Sequence, residues 1–222
     1  MTNKAVFCLA HPDDEAFLAA CLIRRMADEG EPPALLLSTR GDAGHKNGAY
    51  MHYSRSELGA KREEEMSRAA SVMGLAAVEY LGLPDGRTQE ADPDAFLAGV
   101  AEFLRRRQPV EVYTFPPDGM NFHPDHVAIS AVVTRAVAEG HAPSVQRLYY
   151  AMSETLRAEG RQEAVVVDTK PMWALKAEAL RAHESQILAV ERYFGKLDRF
   201  PEERRYEAFA LGWERGAFWP TA

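Results

Sequence analysis

Four short apolar runs, each followed by a segment long enough for a helix, constrain this chain more than any other feature. "KAVFCLA" (Lys4–Ala10), "PALLLST" (Pro33–Thr39), "AAVEYLG" (Ala76–Gly82) and "VEVYTF" (Val110–Phe115) are bounded by Pro, Gly or polar residues and read as strands. The apolar spacing predicts a helix over about 14–29, ended by Gly30. "SRSE" (Ser54–Glu57) is a capping-box pattern opening a helix that runs to Met73 and is closed by Gly74. Asp92-Pro93 opens the next helix, which ends in the run Arg105–Arg107, and a fourth helix spans about 124–139. Strand-like "QRLYYAM" (Gln146–Met152) and "AVVVD" (Ala164–Asp168), a long helix over about 171–190, and "RYEAFALGW" (205–213) as a final edge strand complete the reading.

Alternating strands and helices imply an α/β fold, a Rossmann-like, doubly wound and mostly parallel sheet with helices on both faces. Right-handed crossovers favour the strand order 3-2-1-4-5, which sets strands one and four side by side at the switch point where ligands bind. With 222 residues the chain can bury one full core. No repeat, low-complexity tract or linker divides it.

The two segments that follow strands one and four carry chemistry. "AHPDDEAF" (Ala10–Phe17) sets three consecutive acids at the end of a buried strand, where no folding rule asks for them. "PPDGMNFHPDHVA" (Pro116–Ala128) follows strand four. His11 and Asp14 are three apart, as are His123 and His126, so each pair can project to one side of a strand-to-helix turn. A divalent cation would turn the repulsion among the acids into ligation. Two imidazoles and one carboxylate suit Zn2+ and leave a position for water, which assigns His11, Asp14 and His126 as metal ligands. Zinc brings the pKa of bound water down to about 7. Asp13 beside that water can act as general base, and His123 can stabilise the oxyanion or protonate the leaving amine. Asp125 is placed to orient and charge a neighbouring histidine. The plainer alternative makes both motifs helix caps, with His123 at the surface.

"AHPDDE" with a later "HPDH" resembles the PIG-L/LmbE-like zinc-dependent N-acetylglucosaminyl de-N-acetylase family, and the likeness continues through "STRGDAG", "KREEEMSRAASVMGL", "YLGLPDG" and "KAEALRAHESQ". The family removes acetyl groups from N-acetylglucosamine conjugates in glycosylphosphatidylinositol, mycothiol and bacillithiol synthesis. The resemblance implies the same ligands, His11, Asp14 and His126, with Asp13 as base and His123 as its partner. It also implies one domain over 1–222, with a Rossmann-like core over about 1–140 and C-terminal strands and a helix over about 141–222 completing the pocket. The family's arginine after the glycine loop falls on Arg62, an expected contact to the substrate sugar. Asn121 and Phe122 stand where the mycothiol branch carries a tyrosine, and the charged pair of the bacillithiol branch is missing, so neither branch is assigned. Asn121 is taken as a substrate contact. Asp85 in "LPDG" is expected to touch substrate or to orient Arg62.

The loop 40–54, with His45, Lys46, His52 and Tyr53, has the length of a lid or specificity loop, although its individual residues read as surface. Lys176, His183 and Gln186 fall on roughly one face of the last helix, either as a solvated stripe or packed against the site. Trp173, Trp213 and Trp219 read as core or interface aromatics.

A formal charge of −7, from 26 basic and 33 acidic residues, argues against general nucleic-acid binding. The arginine run reads as a solvated helix end suited to the dipole. Cys8 and Cys21 sit in apolar runs and read as reduced core residues of a cytoplasmic protein. No apolar run approaches a membrane span, and the first residues are too short an apolar stretch for a signal peptide. The expected partner is a small amino-sugar conjugate, with homo-oligomerisation left open. Iron(II) oxygenase chemistry on the same ligand set and a non-catalytic metal-binding module are the alternatives. Phosphate-loop, dinucleotide and serine-elbow motifs are absent.

Overall fold

Strand β1 (Ala5–Leu9) is buried at every residue, as is β2 (Ala34–Leu37), because an apolar run with no polar alternation can only sit in the middle of a sheet covered on both faces. A computed structural model describes residues 2–218, and Trp219 lies outside them. The remaining parallel strands are β3 (Ala77–Tyr80), β4 (Glu111–Thr114) and β5 (Arg147–Ala151). Strands β6 (Glu163–Asp168), β7 (Tyr206–Glu214) and β8 (Ala217–Phe218) complete the set. The order is β3-β2-β1-β4-β5-β7-β6, with β8 paired to β7. The expected 3-2-1-4-5 order is therefore present, and β1 lies parallel beside β4.

An aromatic ladder pins that junction. Phe7, Tyr113 and Tyr149 are in register across β1, β4 and β5, and their rings stack at 4.9 and 4.8 Å. Such pairs contribute roughly 0.5–1.5 kcal/mol each beyond their buried area. A slip of one residue would turn the ladder onto the other face, so register and site alignment are fixed together.

One expectation fails at the far side. β7 is not an edge strand: it runs antiparallel between β5 and β6. Glu207, Ala208, Phe209 and Ala210 are all buried, whereas β6 is half-exposed, so burial sends β7 inward and leaves β6 at the edge.

Helices α3 (Arg55–Met73), α4 (Pro93–Arg107) and α5 (Pro124–Ala138) match the sequence reading within a residue or two. Ser54 and Glu57 form the reciprocal capping box, and Asp92 accepts from Asp94 and Ala95 N–H. Arg106 and Arg107 are not merely solvated, since both pair with Glu79 of β3 at 2.6 and 2.5 Å.

The first and last helices are each broken. The first divides into α1 (Asp14–Leu18) and α2 (Ala20–Asp28) at Ala19, where φ is −146°. Glu207 supplies the reason: its carboxylate accepts from the N–H groups of Cys21 and Leu22, capping α2 from β7. Lys176 balances that buried charge at 2.6 Å and also donates to Phe17 O. The last helix divides into α7 (Trp173–Ala182), a 3₁₀ turn over 184–186, and α8 (Ile187–Phe194). Buried Glu65 of α3 accepts from both the N–H and the hydroxyl of Ser185 and holds the chain in that turn. Between β5 and β6 lies one further short helix, α6 (Glu154–Ala158).

Helices α2, α3 and α7 pack together, and α4 packs on α5, around one contiguous core. Cys8 and Cys21 are buried there as free thiols, and burial pushes Cys21 up to about 12. No described helix is long and apolar enough to cross a membrane.

Candidate active site

His11 leaves the carboxyl end of β1 two residues after Leu9, and α5 begins ten residues beyond the adjacent end of β4, so the sheet itself delivers both motifs to one place. His11 Nδ1 and His126 Nε2 are 3.2 Å apart. Asp14 brings Oδ2 to 3.6 Å from His11 Nδ1 and Oδ1 to 3.5 Å from His126 Nε2. Donors around a tetrahedral metal ion with bonds of about 2.0–2.1 Å lie about 3.3–3.4 Å apart. His11 Nδ1 and His126 Nε2 match that spacing, while Asp14 turns a different oxygen to each imidazole and its Oδ2 also accepts from Ala10 N and His11 N.

The tautomers agree with that fit. His126 Nδ1 faces the carbonyl of Gly119 at 3.0 Å, which makes it the donor and leaves the Nε2 lone pair for the centre. His11 Nε2 faces Asp125 and Asp85, each at 3.1 Å, which leaves Nδ1 for the centre. This is the carboxylate–histidine support common behind metal ligands. His11, Asp85 and Asp125 also gather within 4.8 Å of one another, as do His11, His123 and His126. The two supporting carboxylates are already engaged, however. Asp125 accepts from Gly86 N, Thr88 N and Thr88 Oγ1, and Asp85 from Thr39 and Ala43. His123 Nδ1 accepts from Asp125 N as the cap of α5, leaving its Nε2 for the cleft.

Charge is concentrated here. Burial acts against an ionised Asp14, but the imidazoles of His126 and His11 outweigh it and hold the carboxyl well below its usual range. Asp125 is held low against burial by His11 and the Thr88 and Gly86 donors. Burial disfavours a charged His11, yet Asp125, Asp14 and Asp85 together raise its pKa. Burial lowers His123 and His126, with the neighbouring His11 acting in the same sense. Three carboxylates around one imidazole call for positive charge, which a metal ion would supply.

Asp13 stands beside this centre in an unusual backbone. Its φ is 118° and ψ is −30°, a region that costs a non-glycine residue roughly 1–3 kcal/mol. Arg62 binds its carboxylate at 3.1 Å and donates to the carbonyls of Pro12 and Gly41. Burial pushes the Asp13 carboxyl up to about 6 despite Arg62. Gly41 is required here: its φ is +67°, and a Cβ would strike the Arg62 guanidinium.

These groups line a cleft of about 510 Å³, within the usual range for small-molecule sites. Phe17, Leu18, Met120 and Tyr193 supply an apolar wall. Arg62 and Asp85 border the cleft but are 3% and 5% exposed; the Asp85 oxygens and both terminal nitrogens of Arg62 are engaged within the protein, while Arg62 Nε is buried without a partner. Asn121 lies at the rim, with Oδ1 accepting from His123 N. Of the long loop, Ala43, Gly44 and His45 reach the cleft, while Asn47 and Tyr50 tie the loop to Ser185 O and Glu184. The stripe on the last helix is split by the break at His183: Lys176 serves Glu207, His183 lies behind Glu15, and Gln186 borders the cleft.

The residue that the sequence reading passed over is Glu15. It is fully buried, its Oε2 accepts from Asp13 N at 3.0 Å, and its Oε1 meets His183 Nε2 at 2.7 Å. Burial opposes a charged His183, but the Glu15 carboxylate outweighs it and raises the pKa. Being third in a run of acids, Glu15 carried no separate signal, and its partner is 168 residues away.

The family model PIG-L, GlcNAc-PI de-N-acetylase, matches residues 6–137. A probable N-acetyl-alpha-D-glucosaminyl L-malate deacetylase 2 of Bacillus subtilis (strain 168) is 32% identical over 188 residues, 84% of each chain. N,N'-diacetylchitobiose deacetylase from Pyrococcus horikoshii superposes with a TM-score of 0.73 at 21% identity, over 94% of this chain and 83% of its own. GalB, the 4-carboxy-2-hydroxymuconate hydratase from Pseudomonas putida KT2440, gives 0.74 at 19%, over 97% and 98%. The last two share the fold, and their different reactions show that the fold alone does not fix the chemistry. Because the family model spans more than half of the chain and the B. subtilis relative aligns along most of it, the chain belongs to the PIG-L family.

Proposed function

We propose that this protein is a zinc-dependent hydrolase that removes the acetyl group from an N-acetylglucosamine-type conjugate. The observation that carries the reading is the close triangle of His11 Nδ1, Asp14 and His126 Nε2 at the wall of a cleft that Asp13 and His123 also line. The B. subtilis relative is named for the malate conjugate of such a sugar, which supports the substrate class. Zinc held by His11, Asp14 and His126 would supply a Lewis acid that acidifies water and polarises the amide carbonyl.

The chain's own groups divide the proton work. Asp13, with its basicity raised by burial, accepts the proton of the attacking water at its carboxylate. His123, its Nδ1 engaged at the start of α5, offers Nε2–H to the developing oxyanion or to the departing amine. Asp125 and Asp85 hold the His11 ring from behind. Asn121 at the rim is the proposed polar contact to the sugar, with Arg62 and Asp85 bordering the same pocket. The apolar wall of Phe17 and Tyr193 excludes water from one side.

Acetate release from N-acetylglucosamine conjugates, including the malate and inositol glycosides, tests the reading. Zinc-loaded protein should release acetate from at least one of them. Silence across the panel from protein shown to contain zinc would overturn the substrate class. A second measurement addresses the support behind His11. Asp125→Ala is expected to weaken zinc binding about 10–100-fold, read by competition with a chromophoric chelator. An unchanged affinity would mean that Asp125 serves only Thr88 and Gly86.

A further inference from the structure

Asp13 is held at every polar atom of its main chain. Its carbonyl accepts from Ala16 N at 2.9 Å and Phe17 N at 3.0 Å, and its N–H donates to Glu15 Oε2 at 3.0 Å. The helix explains the first pair, because those bonds open α1. The third bond is different in kind. A carboxylate with no exposure turns back two residues to take an N–H that helix geometry leaves orphaned, and it does so at φ 118°. Such a backbone persists only where its surroundings over-determine it.

The cost of placing that carboxylate is visible as well. Asp13, Asp14 and Glu15 are consecutive, and the third acid is sealed from water. Its second oxygen meets His183, also fully buried, at 2.7 Å. His183 is delivered by the break between α7 and the following 3₁₀ turn, which Glu65 of α3 stabilises through Ser185. A chain of contacts therefore runs from α3 through the C-terminal helix pair to the backbone of Asp13.

We infer that Glu15 and His183 are positioning residues that hold the strained main chain of Asp13, and with it the Asp13 carboxylate, in the orientation hydrolysis requires. The inference rests on the deacetylase reading for its kinetic consequence but not for its structural one. Arg62 fixes the side chain of Asp13 from one direction, while Glu15 fixes the main chain from another. Neither Glu15 nor His183 borders the cleft, so neither touches substrate.

The test uses zinc-loaded protein with the variants Glu15→Ala, Glu15→Gln, His183→Leu and His183→Gln. Zinc content, kcat, KM and the hydrogen-exchange rate of the Asp13 amide are measured for each. Glu15→Ala should keep zinc, speed exchange of that amide roughly tenfold as one hydrogen bond is lost, and lower kcat about 100-fold, the scale of a misplacement near 1 Å. KM should stay within about threefold, since no substrate contact is removed. Glu15→Gln should recover most of kcat, because its amide oxygen still accepts from Asp13 N. His183→Leu should lose kcat in the same manner and His183→Gln regain it. This pair carries the comparison if Glu15→Ala fails to fold. Unchanged exchange at the Asp13 amide, a raised KM with normal kcat, or failure of both glutamines to rescue would overturn the inference. If no conjugate yields acetate from wild type, the functional reading fails alone, and amide exchange still decides whether Glu15 holds Asp13.

Discussion

With Asp13 replaced by asparagine, the protein is expected to keep its zinc and its fold and to lose about 10²–10⁴ in kcat, the usual contribution of a general base. Asparagine has nearly the same shape and can still accept from Arg62 through its amide oxygen, but it cannot take a proton at neutral pH. The metal ligands His11, Asp14 and His126 are untouched, so metal content separates lost chemistry from a lost site. Stability should fall as well, because Arg62 is 3% exposed and would surrender its carboxylate partner. A buried cation left without its counter-charge is costly. Acetate-release kinetics beside a zinc assay check both parts. A kcat within tenfold of wild type would remove Asp13 from the proton transfer and leave it as the counter-ion of Arg62.

Glu207→Ala should be the most damaging substitution far from the cleft. It breaks a buried ion pair and strips the cap from α2 in one step. Glu207 and Lys176 are 4% and 1% exposed, and the carboxylate takes the Cys21 and Leu22 N–H groups as well as the ammonium. Removing one member of such a pair costs about 3–5 kcal/mol, and losing a cap adds about 1 kcal/mol. For a chain of this size each kcal/mol lowers Tm by roughly 2–4 °C, so the midpoint should fall by roughly 8–24 °C. Glu207→Gln combined with Lys176→Met should be milder than Glu207→Ala, because an amide oxygen still caps α2 and no charge is stranded. Thermal unfolding of the variants checks this order. A loss under about 1 kcal/mol for Glu207→Ala would show that water reaches the pair.

What the sequence made legible was local chemistry and the topology that local chemistry imposes. The capping box at Ser54, the Asp92-Pro93 helix start and the unbroken apolar strands lie within a few residues of what they determine. The right-handed crossover rule then brings β1 beside β4, and the two histidine motifs meet because they follow those strands. The parts that stayed hidden depend on partners distant in sequence. Ala19 breaks the first helix because Glu207 caps the second half, and nothing near Ala19 announces it. His183 breaks the last helix because Glu65 reaches Ser185 across 120 residues. β7 comes late in the chain and carries a charged residue, so nothing local places it inside the sheet. That charge, Glu207, turns out to be the buried cap, and the strand around it needs neighbours on both sides.

The insertion of β7 also dictates an order of assembly. In a chain growing from its amino end, β5 and β6 are made before residues 206–214, yet in the finished sheet neither touches the other except through them. Until that strand arrives, β5 offers an open row of backbone donors and acceptors, and pairing β5 directly with β6 is the nearest wrong solution. Long-range closure of this kind is slow. Helix α2 waits as well, since its cap comes with the same strand. The part of the chain through α5, which holds both histidine motifs, is thus finished from the far end of the molecule, and the flank of β5 is where a stalled chain would find the wrong partner.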